Sequence, residues 1–424
     1  MKGSYRILAE EHHVNNDTWV SGLNNNDVII GPSGAGKTRG YVIPNILQKN
    51  ESMLVTDTKG SIGRQVTWEM VESGYQVYNI DFTGGAVTCG YNPFDYIRYD
   101  KANGTYSQQD IKTIASVLVP RENEKDPFWD YAARLYLESM IAYVLECLPK
   151  EEHHMISVLR LFQIMNTRMY LDLFEELSEL RPNSYALGLY RMYENNRTAE
   201  RMHESIRGIL GEKLGIFTLS RVQTLLTCER RIDFREMGRK KTLVLLTVSD
   251  TDRSMDRLAD LFYTQALHEL CRSADKDYPD SRLEVPVRLI LDDFAANAYI
   301  PDFDKITSVI RSREISVSII LQSLSQLESL YGTAKAKTIL NNCDHCLYLG
   351  GQDTDTACYI GAKANKTTST ILNMPLEDAW LFERGRDPKQ VRKYRLEEHR
   401  SDMDGKEKKE LEKKKSREDP ENEM

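Results

Sequence analysis

The stretch "IIGPSGAGKTRG", from Ile29 to Gly40, carries the spacing G-x-x-x-x-G-K-[ST]. Glycines at such positions let the backbone turn tightly enough for successive N–H groups to converge on phosphate oxygens at a helix start. On this reading Gly31, Pro32, Ser33, Gly34, Ala35, Gly36, Lys37, Thr38 and Arg39 form a nucleotide-binding loop. Lys37 would reach the β- and γ-phosphates, and the Thr38 hydroxyl would sit on Mg²⁺. A chance glycine turn is the plain alternative, but the apolar "DVII" before it and the helix-like "TRGYVIPNILQ" after it are the context the spacing needs. ATP and Mg²⁺ are the implied ligands.

Outward from this loop, short β-branched runs alternate with helix-like segments, the pattern of a parallel sheet covered on both faces. The expected strands are "DVIIG" (27–31), "SMLVTD" (52–57), "YQVYNID" (75–81), "TLVLLTVSD" (242–250), "VRLILDD" (287–293), "SVSIILQS" (316–323) and "HCLYLGG" (345–351). They read as an α/β, RecA-like P-loop NTPase core with a mostly parallel sheet. From Pro93 to Phe234 apolar residues recur at three- and four-residue spacing and strand-like runs fade, so this stretch reads as an all-α inserted domain. The expected division is 1–92 and 235–396 for the two parts of the nucleotide-binding domain, 93–234 for the insertion, and 397–424 for a charged tail, disordered or a frayed helix.

With 424 residues, two domains are the natural expectation. Lys and Arg number 56 against 64 Asp and Glu, a net charge of −8, so any polynucleotide contact must be local and not a property of the whole surface. Seven cysteines without regular spacing point to a reducing compartment. The sequence contains no apolar run long enough to span a bilayer and no signal-peptide pattern at its start, so a soluble, cytoplasmic chain is expected.

A nucleotide engine needs a carboxylate beside the metal, and "RLILDDF" ends an apolar strand in Asp292 and Asp293. Strands of such sheets end at the face where ligands sit. Asp292 is expected to hold Mg²⁺ and Asp293 to orient and deprotonate the attacking water. A solvated acidic pair at a strand end is the alternative. Gln322 ends the next buried run, where its amide could touch the γ-phosphate or the water, or merely cap a turn. Arg311 and Arg313 precede that run, in a turn that faces the neighbouring subunit's nucleotide in many ring-forming motors; a solvated helix end is the competing account.

Taken together, "IIGPSGAGKTRGYVIPNIL", "VTDTKG", "YNPFDYI", "DPFWDYAARLYLESMIAYV", "LDDFAANAYIPDFDKITSVIRSREISVSIILQSLSQL" and "NNCDHCLYLGG" resemble the type IV coupling proteins of conjugative elements, the TraG-like ATPases, from about Leu23 to Tyr394. The resemblance implies a homo-hexameric ring ATPase at the cytoplasmic mouth of a type IV secretion channel. Its implied partners are DNA, single-stranded above double-stranded, the relaxase and relaxosome proteins, and channel components. The helical insertion would recognise cargo. Two departures are that such proteins usually begin with transmembrane helices, and that the second carboxylate is usually Glu where this chain has Asp293. Asp is one methylene shorter, so slow turnover would follow. The rival readings are a double-stranded DNA pump of the FtsK and HerA kind, and a nucleotide-binding docking module with negligible turnover.

Weaker signals remain. Cys343 and Cys346 form a lone C-x-x-C, expected as buried small residues and not a metal site. His12, His13, His153 and His154 are expected at the surface. "CERRIDFREMGRKK" (228–241) would be a DNA-facing or simply solvated basic stretch, and Asp57 and Lys59 of "VTDTKGS" follow a strand expected beside the phosphate loop.

Overall fold

The computed structural model describes residues 4–122, 127–197, 200–294, 298–397 and 399. Thirteen strands are present among them: β1 (Tyr5–Ala9), β2 (His12–Asn15), β3 (Asp27–Ile30), β4 (Ser52–Asp57), β5 (Gln76–Asp81), β6 (Tyr99–Asp100), β7 (Thr105–Tyr106), β8 (Thr242–Thr247), β9 (Val287–Leu291), β10 (Ile315–Leu321), β11 (His345–Tyr348), β12 (Asp378–Glu383) and β13 (Lys389–Arg392). Nine of them form one sheet in the order β13-β12-β11-β3-β10-β9-β4-β8-β5. The pairs from β11 to β5 are all parallel, while β12 and β13 run antiparallel at one edge. All seven strands expected from the sequence are present. The β1–β2 hairpin and the β12–β13 edge are additions that the sequence reading did not contain.

The central strands are buried on both faces, which is why they read as continuous apolar runs and not as alternations. Ile29, Val55, Leu245, Ile290 and Ile320 pack on one side with Tyr41, Ile46, Ile62 and Val66. Ile30, Leu54, Leu246, Leu291 and Leu321 turn to the other side, where the helix Asp256–Asp277 and the segment between β5 and β8 share their core.

That intervening segment holds helices Gln108–Leu118, Phe128–Cys147, Met155–Ile164, Arg168–Leu180, Tyr185–Arg197, Glu200–Leu214 and Ser220–Thr227. Phe128–Cys147 is the central one, with Tyr136, Leu137, Met140, Ile141 and Val144 buried. The segment is not purely helical: β6 and β7 form a two-stranded antiparallel pair near its start. Its entry and exit run side by side, Gly90 N–H donating to Arg230 O at 2.8 Å and Ile232 N–H to Gly90 O at 3.3 Å. Among the described residues no helix is long and apolar enough to cross a membrane. Of the charged tail expected from Glu397 onward, residues 398 and 400–424 lie outside the described residues.

A buried charge network joins the β1–β2 hairpin to the entry ends of the parallel strands. Asp27 receives Arg6 and lies 3.4 Å from Arg288, whose Nε donates to Glu51; Tyr41 and Ser318 complete the set. Arg6, Asp27, Arg288, Tyr41 and Ser318 are each at most 1% exposed.

Candidate nucleotide site

The sheet order decides the site. β10 lies between β3 and β9, so the chain ends leaving these three adjacent strands carry the phosphate loop, Gln322, and Asp292 with Asp293. Register aligns them: Ile30 faces Leu321, Ile319 faces Leu291, and Gly31 N–H donates to Leu321 O at 3.0 Å.

Gly34 and Gly36 take φ of 80° and 94°, a left-handed conformation that L side chains rarely adopt, and a Cβ on either would meet nothing within 4 Å. The loop then enters a helical stretch that opens in π geometry over Thr38–Val42 and continues through Ile43–Leu47. Lys37 Nζ donates to Gly31 O at 2.7 Å and Pro32 O at 3.1 Å, and lies 3.9 Å from Asp293 Oδ1. The ammonium is thus held at the centre of the loop. Thr38 Oγ1 donates to Asp292 Oδ2 at 3.0 Å, and Gln322 Nε2 approaches Asp293 Oδ1 at 3.4 Å. Asp293 itself has φ of 49°, a left-handed conformation that Asp tolerates better than most residues.

Asp292 is 5% exposed. Burial and the neighbouring Asp293 charge push its carboxyl up to about 6, against the opposing pull of Thr38 and Lys37. A carboxylate in this state gains from a divalent cation. The donor set fits Mg²⁺ better than a transition metal: one hydroxyl and one carboxylate, with room for phosphate and water oxygens. Among the described residues no cluster of three or more metal-ligating side chains occurs. Beside the loop, a cavity of about 560 Å³ is bounded by Arg39 and Gly40 on one side and by Met374, Leu376, Lys393 and Glu397 on the other. Arg39 pairs with Glu397, both of them lining this cavity. This second wall comes from the antiparallel edge of the sheet, and no short motif announces it in the sequence.

Arg311 and Arg313 are not brought to this site. They stand in the turn Ile310–Arg313, before β10, at the opposite ends of the strands from Gln322. A seven-residue strand puts about 23 Å between the two ends. Arg311 donates to Thr18 O at 3.0 Å, and Arg313 grips Asp275 with two bonds of 2.8 and 2.9 Å. As residues acting on this chain's own nucleotide they are ruled out by distance.

Three other expectations are redrawn. β4 is separated from β3 by β10 and β9, so Asp57 is not beside the phosphate loop; it caps the helix Ser61–Glu72, accepting from Ser61 N–H at 2.9 Å and Gly63 N–H at 2.8 Å. Lys59 pairs with Asp250 at 3.2 Å. The basic stretch 228–241 is largely engaged within the chain: Arg231 with Asp95, Arg235 with Asp233, Arg239 with Glu236 and Asp277, and Lys241 with Lys49 O. His154 is 7% exposed, buried where the sequence reading expected surface.

Residues 4–400 match the family described as type IV secretory system conjugative DNA transfer. The VirD4 protein of Rhizobium radiobacter is 24% identical over 388 residues, which cover 90% of this chain and 52% of that protein. The VirD4 protein of Rhizobium rhizogenes is 24% identical over 368 residues, 86% and 53% of the two chains. The chain therefore spans about half the length of these relatives. Among solved structures, the bacterial conjugative coupling protein TrwB in its sulphate complex superposes with a TM-score of 0.64 at 17% identity, over 87% of this chain and 85% of that one. VirB4 of Thermoanaerobacter pseudethanolicus gives a TM-score of 0.53 at 14% identity, over 92% and 96%.

Proposed function

The chain belongs to the conjugative DNA transfer family of type IV secretory systems, and we propose that it is an ATPase that drives DNA, with its bound relaxase, into the secretion channel. One observation carries the hydrolytic part: Lys37, the Thr38–Asp292 pair and the Asp293–Gln322 pair meet at the ends of three adjacent parallel strands. TrwB, which shares the fold, has been solved with the GTP analogue GDPNP, with the ATP analogue ADPNP and with ADP and Mg²⁺, which supports a nucleoside phosphate with Mg²⁺ as the ligand here.

In this reading backbone N–H groups from Ser33 to Thr38 cradle the phosphates, and Lys37 swings from the loop carbonyls onto the β- and γ-phosphate oxygens. Thr38 and Asp292 would hold Mg²⁺, which would supply charge neutralisation at the phosphates. Asp293 takes the proton of the attacking water, and Gln322 orients that water while restraining the Asp293 carboxylate. Single-stranded DNA is the favoured cargo, assembly is a homo-hexameric ring, and the helical segment between β5 and β8 receives relaxosome proteins. The ring works at the cytoplasmic face of the membrane that holds the channel.

Steady-state ATP hydrolysis of the full chain, with and without single-stranded oligonucleotide, tests this. Expected is turnover that DNA stimulates and Lys37→Ala abolishes. Parent turnover no higher than that of Lys37→Ala, with nucleotide binding intact, would overturn the motor and leave a docking module.

A further inference from the structure

The chain leaving Asp293 is fastened a few residues later. Tyr299, six positions on, donates its N–H to Asp260 Oδ1 at 2.6 Å. Ile300 is gripped by Tyr331, whose hydroxyl accepts from Ile300 N–H at 2.9 Å and donates to Ile300 O at 3.2 Å. The rings of Phe294 and Tyr299 stack on Tyr331, with centroids at 6.1 and 5.1 Å. Tyr331 thus supplies ring packing and two hydrogen bonds to this segment, while Asp260 supplies a buried carboxyl acceptor whose ionisation burial opposes, raising it to about 7.

A charge there is costly. Asp260 stands in the second turn of Asp256–Asp277 and is 3% exposed. Among the described residues its only side-chain cation is Arg257, with Nη1 at a long 3.4 Å from Oδ2. A buried carboxylate so thinly matched is less favourable for stability than a well-packed apolar residue, and such costs concentrate where a group has another task. Arg257 does not stop at Asp260. Its Nη2 donates to Glu122 Oε1 at 2.8 Å, and Glu122 also receives Lys213 at 2.9 and 3.0 Å. Glu122 lies just before Phe128–Cys147, and Lys213 ends Glu200–Leu214. These groups border a cleft of about 710 Å³ between the helical segment and the chain that follows β9.

We propose that Asp260 is a positioning residue for Asp293, and that Arg257, Glu122 and Lys213 extend its hold to the helical segment, so that cargo seated on those helices alters the placement of Asp293. This rests on the hydrolytic reading above. The bridge is polar and its middle is open to solvent, Glu122 being 50% and Arg257 37% exposed, so it can be remade without unfolding the core, as a coupling element must be.

The test uses the full chain and three readouts: amide exchange of the peptide spanning 298–306, Mg·ADP affinity, and ATP turnover with and without a single-stranded oligonucleotide. Asp260→Leu should speed exchange at Tyr299 at least about tenfold and lower turnover by a similar factor while nucleotide affinity stays within about twofold. Asp260→Asn keeps an acceptor for Tyr299 and drops the charge, so it should retain protection and basal turnover but lose most of the DNA stimulation. Glu122→Gln and Arg257→Met should each reduce stimulation at least about twofold, and the double variant should be no worse than the more impaired single one. Stimulation retained in Asp260→Asn, or losses from Glu122 and Arg257 that multiply, would overturn the coupling. Unchanged exchange in Asp260→Leu would overturn the positioning role. Should the parent hydrolyse nothing, the hydrolytic reading falls, while the exchange arm still decides whether Asp260 holds this segment.

Discussion

Arg6 in the first strand grips Asp27 at the start of the phosphate-loop strand, Nε to Oδ2 at 2.6 Å and Nη2 to Oδ1 at 2.9 Å, with both side chains 1% exposed. Burial alone would raise the Asp27 carboxyl, but Arg6, His345 and Arg288 outweigh it and hold the group well below the usual carboxylate range. A depressed folded-state value stabilises the fold above the unfolded value, near 4, and that contribution fades as pH falls below it. Asp27→Asn removes the partner of two buried guanidinium groups and should cost about 3–5 kcal/mol at pH 7. Urea unfolding measures this, and a loss under about 1 kcal/mol would mean that the network relaxes around the change.

Lys37 is bonded to loop carbonyls and not to any core group. Lys37→Ala should therefore leave the melting temperature close to that of the parent while weakening Mg·ATP binding about tenfold to a hundredfold, the equivalent of ~1.5–3 kcal/mol for a charged hydrogen-bond donor. Titration calorimetry reads the affinity; unchanged binding would remove the loop from nucleotide recognition.

For Asp292 the sign is opposite to that of Asp27. Its folded-state carboxyl is raised to about 6, so ionising it in the metal-free protein costs stability that grows as pH climbs from about 4 towards 7. Asp292→Asn should stabilise the metal-free chain at pH 8 by on the order of 2 kcal/mol and change little at pH 4. With Mg²⁺ and nucleotide present the order should reverse, because only the parent keeps the carboxylate. Thermal unfolding across this range checks both arms, and a variant less stable than the parent at pH 8 without metal would contradict the assignment.

Asp293→Asn can keep the left-handed backbone that Asp293 adopts, since Asn tolerates that conformation as well as Asp. It should bind nucleotide normally and lose turnover by roughly 10²–10⁴, the range attributed to a general base. Retained hydrolysis in a single-turnover assay would take Asp293 out of the chemistry.

Arg313 ties the turn before β10 to Asp275 in a pair that is 23% and 44% exposed. Arg313→Ala should cost at most about 1 kcal/mol and leave turnover intact. Arg311→Ala, which removes a bond to Thr18 O, should behave similarly. Either variant binding ATP normally yet hydrolysing none, with activity regained on mixing with Lys37→Ala subunits, would identify it as a residue acting on a neighbouring subunit's nucleotide.

The phosphate loop, the seven parallel strands and the carboxylates at 292 and 293 were legible because they depend on local rules: glycine spacing, apolar run length and the residue that ends a strand. Gln322 was legible too, as a polar residue leaving a buried run. Which strands are neighbours was not, since strand order is set by how crossovers pack on the two faces and not by any stretch of chain. That order inserts β10 between β3 and β9, bringing Gln322 to Asp293, and it moves Asp57 three strands away from the loop. Arg311 and Arg313 stand in the turn before β10, as expected; eleven and nine residues from Gln322 in sequence, they sit at the far end of the strand because an extended chain carries them there, and whether they reach a neighbour's nucleotide is decided by assembly and not by this chain. Arg6 with Asp27, and Asp260 with Tyr299, join residues 21 and 39 apart, pairings chosen by burial, since a charge removed from water must find whichever partner the fold brings near.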